Sequence, residues 1–154
     1  DLLLHEVAES VKPARVPVRV LAPQPQPLVR RSPELLHGLG NLVANAVRHA
    51  GTEVRIETSI TPVQVEVSVL DDGFGFPPEL LPRLGEPVLG PSRSGSGSTG
   101  LGIFIATTLI ERTGGRLRFS NRPEGGGRVD VRWARANIEA IADAAGTARE
   151  EERI

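Results

Sequence analysis

Cysteine and methionine are both absent from this chain of 154 residues. Without cysteine the chain can form no disulfide, hold no zinc through thiolates and use no cysteine nucleophile. The absence of methionine, an initiator included, predicts that the chain is a piece of a longer protein. No apolar run approaches the roughly 20 residues that span a bilayer, and no signal peptide opens the chain. We therefore expect a soluble domain without direct membrane contact.

An excess of charge of one sign is also missing. The 18 basic and 19 acidic residues give a formal net charge of -1. This balance gives no indication of binding to nucleic acid or to an anionic membrane. Lys12 is the only lysine, so the Gly-Lys-Ser/Thr sequence of a P-loop cannot occur. The length is that of one domain built around a single core.

Apolar periodicity predicts a mixed sheet of about five strands with three main helices on one face, an α/β two-layer sandwich. Helices are predicted over 1–10, 33–50 and 100–113, and strands over 16–21, 53–60, 63–70, 116–120 and 128–134. Pro17 predicts that the first strand lies at an edge of the sheet. The Gly/Pro/Ser-rich stretch 77–99, apart from one turn of helix near 79–84, is too long for a simple connector.

The helix predicted over 33–50 has two chemically different sides. At about 100° per residue its apolar side chains fall on one arc, as expected of a face that packs on a core. The opposite arc carries His37, Asn41, Asn45, Arg48 and His49, without Glu or Lys. Because Asn is a poor helix former, we interpret this arc as facing a ligand that carries charge and metal. A solvated helix face is the alternative.

Two glycine clusters bracket the long loop. The later cluster, GSGSTGLG, has the spacing of a dinucleotide fingerprint, but no buried strand precedes it, and we reject that interpretation. It can still present backbone N–H groups to phosphate at a helix N-terminus. In the earlier cluster Asp71 ends an apolar strand ahead of Gly73 and Gly75. Its carboxylate could accept a hydrogen bond from an exocyclic amine such as adenine N6, and a plain Asp-Gly turn is the alternative.

Three segments of the chain resemble the motifs of one family. NLVANAVRHA, LDDGFGF and STGLGIFIATTLIERTGGRLRFSN are similar to the N box and the two glycine boxes of GHKL (Bergerat-fold) ATP-binding domains, in the same order. The resemblance runs from about Leu2 to Trp133 and is to the catalytic domains of sensor histidine kinases. GEPVLG and GLGIFIATTLIERTGG further resemble the RegB/PrrB type of redox-responsive kinases.

This resemblance implies a site for ATP and Mg²⁺. Asn45 would coordinate the metal between the phosphates, Asn41 would help to hold the phosphates or metal waters, and Arg48 would contact phosphate. These three would be the catalytic residues. His49 would pack against the nucleotide, and Asp71 would accept the hydrogen bond of the adenine amine.

The glycine boxes and the loop complete the implied site. Gly73 and Gly75 would shape the adenine pocket. The helix that faces the phosphates would begin with Thr99, Gly100, Leu101 and Gly102. Residues 79–98 would form the ATP lid, in which Arg93 would contact the γ-phosphate. The chain departs from the family where Ser98 follows Gly97 in place of two adjacent glycines, and the lid lacks a Phe-rich motif.

The reaction is also implied by the resemblance. The gyrase, MutL and Hsp90 group resemble one another in a Glu that acts as general base four residues before the metal-binding Asn, where this chain has Asn41. An amide cannot accept a proton, whereas an acceptor histidine has a lone pair at neutral pH. The resemblance therefore implies an ATP-dependent protein histidine kinase. A GHKL serine kinase or anti-sigma-type regulatory binding module is the alternative.

The domain organisation follows from the same resemblance. His5 lies too close to the N box to be the phosphoacceptor. We interpret 1–12 as the end of a connecting helix from a missing dimerisation domain, 13–135 as the catalytic domain and 136–154 as a C-terminal helical extension. The implied partners are the histidine-bearing dimerisation domain of the same kinase and a response regulator. The expected location is the cytoplasmic portion of a membrane-bound sensor.

Overall fold

A five-stranded mixed sheet organises the fold, in a computed structural model that describes residues 2–12, 15–22, 32–84 and 98–138. Its strands are β1 (Val18–Leu21), β2 (Val54–Ile60), β3 (Gln64–Asp71), β4 (Arg116–Asn121) and β5 (Gly127–Ala134). They lie in the order β1-β2-β3-β5-β4, with β1 parallel to β2 and the other neighbours antiparallel. The edge position of β1 confirms the prediction made from Pro17.

Within the described ranges the sheet is accompanied by α1 (Leu2–Ser10), α2 (Pro33–His49) and α3 (Ser98–Arg112), and residues 135–138 are also helical. A 3-10 turn at Leu81–Arg83 confirms the helical turn expected within 79–84. Helix α3 begins at Ser98 and not at the predicted Gly100. The N–H groups in the first turn of a helix need no intrahelical partner, so glycine is tolerated there. No helix among the described residues is long and apolar enough to cross a membrane.

Helix α2 is fixed at both of its ends. The Ser32 side chain accepts a hydrogen bond from the backbone N–H of Leu35 at 3.1 Å, an N-cap followed by Pro33 in the first turn. At the other end the Arg15 guanidinium donates to the carbonyl of Val47 at 3.1 Å and also to that of Ala50. A cation at this position satisfies the last carbonyl groups of the helix.

The core lies between the helices and one face of the sheet. The predicted apolar face of α2 is buried, and it packs with α3 and with inward-facing residues of β2, β3 and β5. Trp133 is buried, and its indole N–H donates to the Thr113 hydroxyl at 2.8 Å. From α1, Leu4 and Val7 join the same core. The assignment of 1–12 to a connecting helix stays a prediction, and most of the predicted extension, residues 139–154, lies outside the described residues.

Asp72, directly after β3, fixes the connection between α2 and β2. Its Oδ1 accepts hydrogen bonds from the backbone N–H groups of Gly51 and Thr52 at 2.8 Å and of Glu53 at 3.2 Å, and its Oδ2 accepts from the Thr52 hydroxyl. Hydrogen bonds to the charged form, first that of the Thr52 hydroxyl and then those of the backbone, hold the pKa of Asp72 well below its ordinary value of 3.8. The last turn of α2 is thereby tied to the end of β3.

The charge of Asp72 is expected to stabilise the fold in a pH-dependent way. Because its pKa is lower in the folded state, this contribution is present above about pH 4 and is lost as the pH falls towards the folded pKa. Asp72→Asn should reduce the free energy of unfolding at pH 7 by about 1 kcal/mol, and the difference from wild type should shrink below pH 4. Urea titrations between pH 3 and 7 measure this, with Glu79→Gln in an exposed turn as control. A constant difference at every pH would contradict it.

Candidate functional site

The polar arc of α2 faces a cavity of about 200 Å³ between α2 and the first turns of α3. The cavity is lined by Asn41, Ala44, Asn45, Arg48, Leu101, Gly102 and Ile105. Asn41 and Asn45 are half-buried, whereas Arg48 and His49 are exposed at the last turn. His37 is also exposed and lines a neighbouring groove between α1 and α2. Two of the three boxes therefore meet across this cavity.

The side-chain carbonyl oxygen of Asn45 is buried, and no donor among the described residues forms a hydrogen bond with it. A buried amide oxygen without a partner costs free energy, so such an atom at a cavity indicates a group that binds a ligand. Amide oxygens are hard ligands of the kind that Mg²⁺ accepts together with phosphate oxygens. Within the described ranges no three His, Asp or Glu side chains form a metal cage. The donor chemistry at Asn45 therefore fits a metal that also binds the ligand.

Asp71 is a buried carboxylate, only 6% exposed, at the last position of β3. Its Oδ1 accepts hydrogen bonds from the backbone N–H of Gly73 at 2.9 Å and of Gly127 at 3.2 Å. None of the hydrogen bonds between described residues engages its Oδ2. One carboxylate oxygen is thus fixed by the backbone, and the other is left to accept a hydrogen bond from an amine.

The glycines of the first glycine box are required by their surroundings. A Cβ on Gly73 would lie 1.9 Å from the carbonyl oxygen of His49, so this turn touches the end of α2 and leaves no room for a side chain. Gly75 has a φ of 81°, a left-handed conformation that favours glycine. The contact with His49 brings the first glycine box next to the N box, and the three boxes lie around one region of the molecule.

Of the remaining predicted site residues, those at the start of α3 lie within the described residues, and Arg93 of the predicted lid does not. Thr99 and Gly100 lie in the first turn of α3, and Leu101 and Gly102 line the cavity. Arg93 and most of the predicted lid lie outside the described residues, so their roles stay predictions.

The hairpin between β4 and β5 contributes a contact to the site that was not predicted from the sequence. There Arg122 donates through Nη1 to the backbone carbonyl of Asp71 at 2.7 Å. The segment NRPEGGG joins the strands predicted over 116–120 and 128–134, and its proline and glycines indicate only a turn. Its run of three glycines was the available signal, since Gly126 has a φ of 105° and a Cβ there would lie 2.0 Å from the Asp71 carbonyl oxygen.

Comparison with known sequences identifies relatives of this chain. Residues 31–137 match the family described as histidine kinase-, DNA gyrase B- and HSP90-like ATPases. Sensor histidine kinase RegB of Cereibacter sphaeroides is 39% identical over 127 residues, which cover 70% of this chain and 28% of that protein. Sensor histidine kinase GtrS of Pseudomonas aeruginosa is 36% identical over 140 residues, covering 90% of this chain and 29% of that protein. The chain spans less than a third of the length of either relative.

Solved structures share the fold. Full-length ShkA in complex with AMPPNP superposes with a TM-score of 0.71 at 25% identity, over 86% of this chain and 30% of that one. The catalytic domain of histidine kinase ThkA superposes with a TM-score of 0.70 at 25% identity, over 86% of this chain and 90% of that one. The resemblance to GHKL domains is thereby confirmed: the chain belongs to the family of histidine kinase-, DNA gyrase B- and HSP90-like ATPases.

Proposed function

We propose that this chain is the Mg-ATP-binding catalytic domain of a sensor histidine kinase and donates the γ-phosphoryl group of ATP to a histidine on a dimerisation domain. The buried carbonyl oxygen of Asn45, unpartnered among the described residues and on the wall of a cavity between the N box and the second glycine box, carries this proposal. The similarity of the chain to longer sensor histidine kinases supports the kinase function over the anti-sigma-type alternative.

The two ends of the nucleotide are recognised by different groups. Asp71 Oδ2 accepts a hydrogen bond from the adenine amine, in a pocket shaped by Gly73 and Gly75. At the phosphate end Asn45 would hold the metal, and Asn41 would help to hold the phosphates or the metal waters. Mg²⁺, when bound, neutralises charge on the phosphate oxygens.

Further contacts to the nucleotide come from both helices. Arg48 contacts phosphate and His49 packs against the nucleotide. The N-terminus of α3, with Thr99 and Gly100, presents its N–H groups to phosphate oxygens. Arg93 in the lid is the candidate contact to the γ-phosphate.

The residues in the cavity favour histidine as the phosphoryl acceptor. Asn41 lines the cavity one helical turn before Asn45, and its amide cannot accept a proton. A serine acceptor would need a base to remove its proton, whereas a neutral imidazole nitrogen already carries the lone pair that attacks the γ-phosphorus, with ADP as the leaving group. Positioning and electrostatics then supply most of the catalysis.

An apolar surface beside the cavity suits the approach of the acceptor. Leu101 and Ile105, one turn apart on α3, are 53% and 39% exposed and also line the cavity. Exposed apolar side chains at the rim of a site commonly contact a partner protein. We assign to these two residues the contact with the helix that carries the acceptor histidine.

The partners and the location follow from the kinase assignment. The dimerisation domain of the same protein supplies the acceptor, and a response regulator receives the phosphoryl group from that histidine. The catalytic domain acts in the cytoplasm, as the cytoplasmic part of a membrane-bound sensor.

Transfer to histidine can be tested with radiolabelled ATP and an added helical hairpin that bears the acceptor histidine. We expect label on the hairpin that is lost in acid and is stable in base, because phosphohistidine is acid-labile. The same hairpin with His→Gln is the matched control. Acid-stable phosphoserine on a partner protein, with no transfer to the hairpin, would instead support the anti-sigma-type alternative.

Docking of the acceptor hairpin at the rim of the cavity gives a separate prediction. Replacing both Leu101 and Ile105 with Ala should slow transfer to the hairpin by about tenfold, because apolar area is lost from the contact. The affinity for ATP, measured by calorimetry, should fall by a smaller factor than the rate of transfer, because the nucleotide keeps its polar contacts. Val63→Ala, at a residue 75% exposed in the turn between β2 and β3, is the control. Equal losses of transfer and nucleotide affinity would argue against a docking role.

A further inference from the structure

The hairpin between β4 and β5 closes over the end of β3, and its turn, residues 122–127, lies outside the three boxes. Arg122, whose side chain is only 11% exposed, donates through Nη1 to the Asp71 carbonyl at 2.7 Å. Its Nε donates to the Glu124 carboxylate at 3.1 Å within the same hairpin. The guanidinium is therefore held from one side by Glu124 while it binds the backbone of Asp71 on the other.

The glycines of the hairpin approach the same residue. A Cβ on Gly126 would lie 2.0 Å from the Asp71 carbonyl oxygen, and a Cβ on Gly127 would lie 2.9 Å from Asp71 Oδ2. The backbone N–H of Gly127 also donates to Asp71 Oδ1 at 3.2 Å. The hairpin thus contacts both the backbone and the carboxylate of Asp71.

The hairpin also holds the turn that follows Asp71. The Asn121 side chain accepts a hydrogen bond from the Phe76 backbone N–H at 2.7 Å and donates one to the Phe76 carbonyl at 2.8 Å. The rings of Phe76 and Phe119 meet edge to face, with centroids 5.9 Å apart. Both ends of the segment 71–76 are therefore held from the side of β4 and β5.

Orientation of this carboxylate matters because a single hydrogen bond to an amine depends on its geometry, and a binding group must be held to within about 0.5 Å. We propose that Arg122 is a positioning residue for nucleotide recognition, which holds the end of β3 so that Asp71 presents Oδ2 to the adenine amine. This inference rests on the proposed function, in which Asp71 binds that amine. Arg122 itself is not expected to contact the nucleotide.

The test compares ADP with inosine diphosphate, in which an oxo group replaces the 6-amino group and N1 carries a proton. Calorimetric titration of the full chain should give tighter binding of ADP by about tenfold or more, the effect of one hydrogen bond to a charged group. In Arg122→Ala the ratio of the ADP affinity to the inosine diphosphate affinity should fall to about three or less. The affinity for inosine diphosphate should stay within about twofold of the wild-type value. A general loss of structure would weaken the binding of both nucleotides alike.

Arg118→Ala is the matched control, because Arg118 is an exposed arginine of β4 and should leave the ratio unchanged. If circular dichroism shows that Arg122→Ala is unfolded, Arg122→Gln takes its place with the same expected fall. A folded Arg122 variant with the wild-type ratio would overturn the positioning role and leave the proposed function intact. A wild type that does not prefer ADP would overturn the role of Asp71, and this inference with it.

Discussion

The contact between the end of α2 and the end of β3 determines the geometry of the site. Gly73 packs against the His49 carbonyl so closely that no side chain fits between them, and Asp72 binds the backbone from Gly51 to Glu53. The helix that carries Asn45 and the strand that ends in Asp71 are therefore held at a fixed separation. A ligand with a base at one end and charged phosphates at the other needs such a spacing, because both ends must be bound at once.

Elements with a repeated local pattern could be predicted from the sequence. The apolar face of α2 repeats over the whole helix, and the buried positions agree with it. Alternating residues likewise predicted β2 to within one residue at its start, because one face of that strand is buried against the helices. Pro17 indicated the edge strand because proline cannot donate to a neighbouring strand. In each case the residues that allowed the prediction lie within or next to one element.

Contacts between distant parts of the chain could not be predicted in this way. Arg122 and Asp71 are 51 positions apart, and Asp72 and Gly51 are 21 apart. Their pairing depends on the strand order, which places β5 beside β3. The same residue types occur in ordinary surface turns, so the segment NRPEGGG predicted a turn and not a support for Asp71. The motif residues were recognised by resemblance, and the residues that position them became visible only in the fold.

The proposed function depends most on Asn45, which we propose holds a metal that is shared with the nucleotide. Calorimetric titration with a non-hydrolysable ATP analogue, with and without Mg²⁺, tests it most directly in the wild type and in Asn45→Ala. We predict saturable binding to the wild type, strengthened by Mg²⁺ by about tenfold or more. In the variant, we expect Mg²⁺ to leave the affinity nearly unchanged. A folded wild type that does not bind, or a variant in which Mg²⁺ strengthens binding as much as in the wild type, would contradict it.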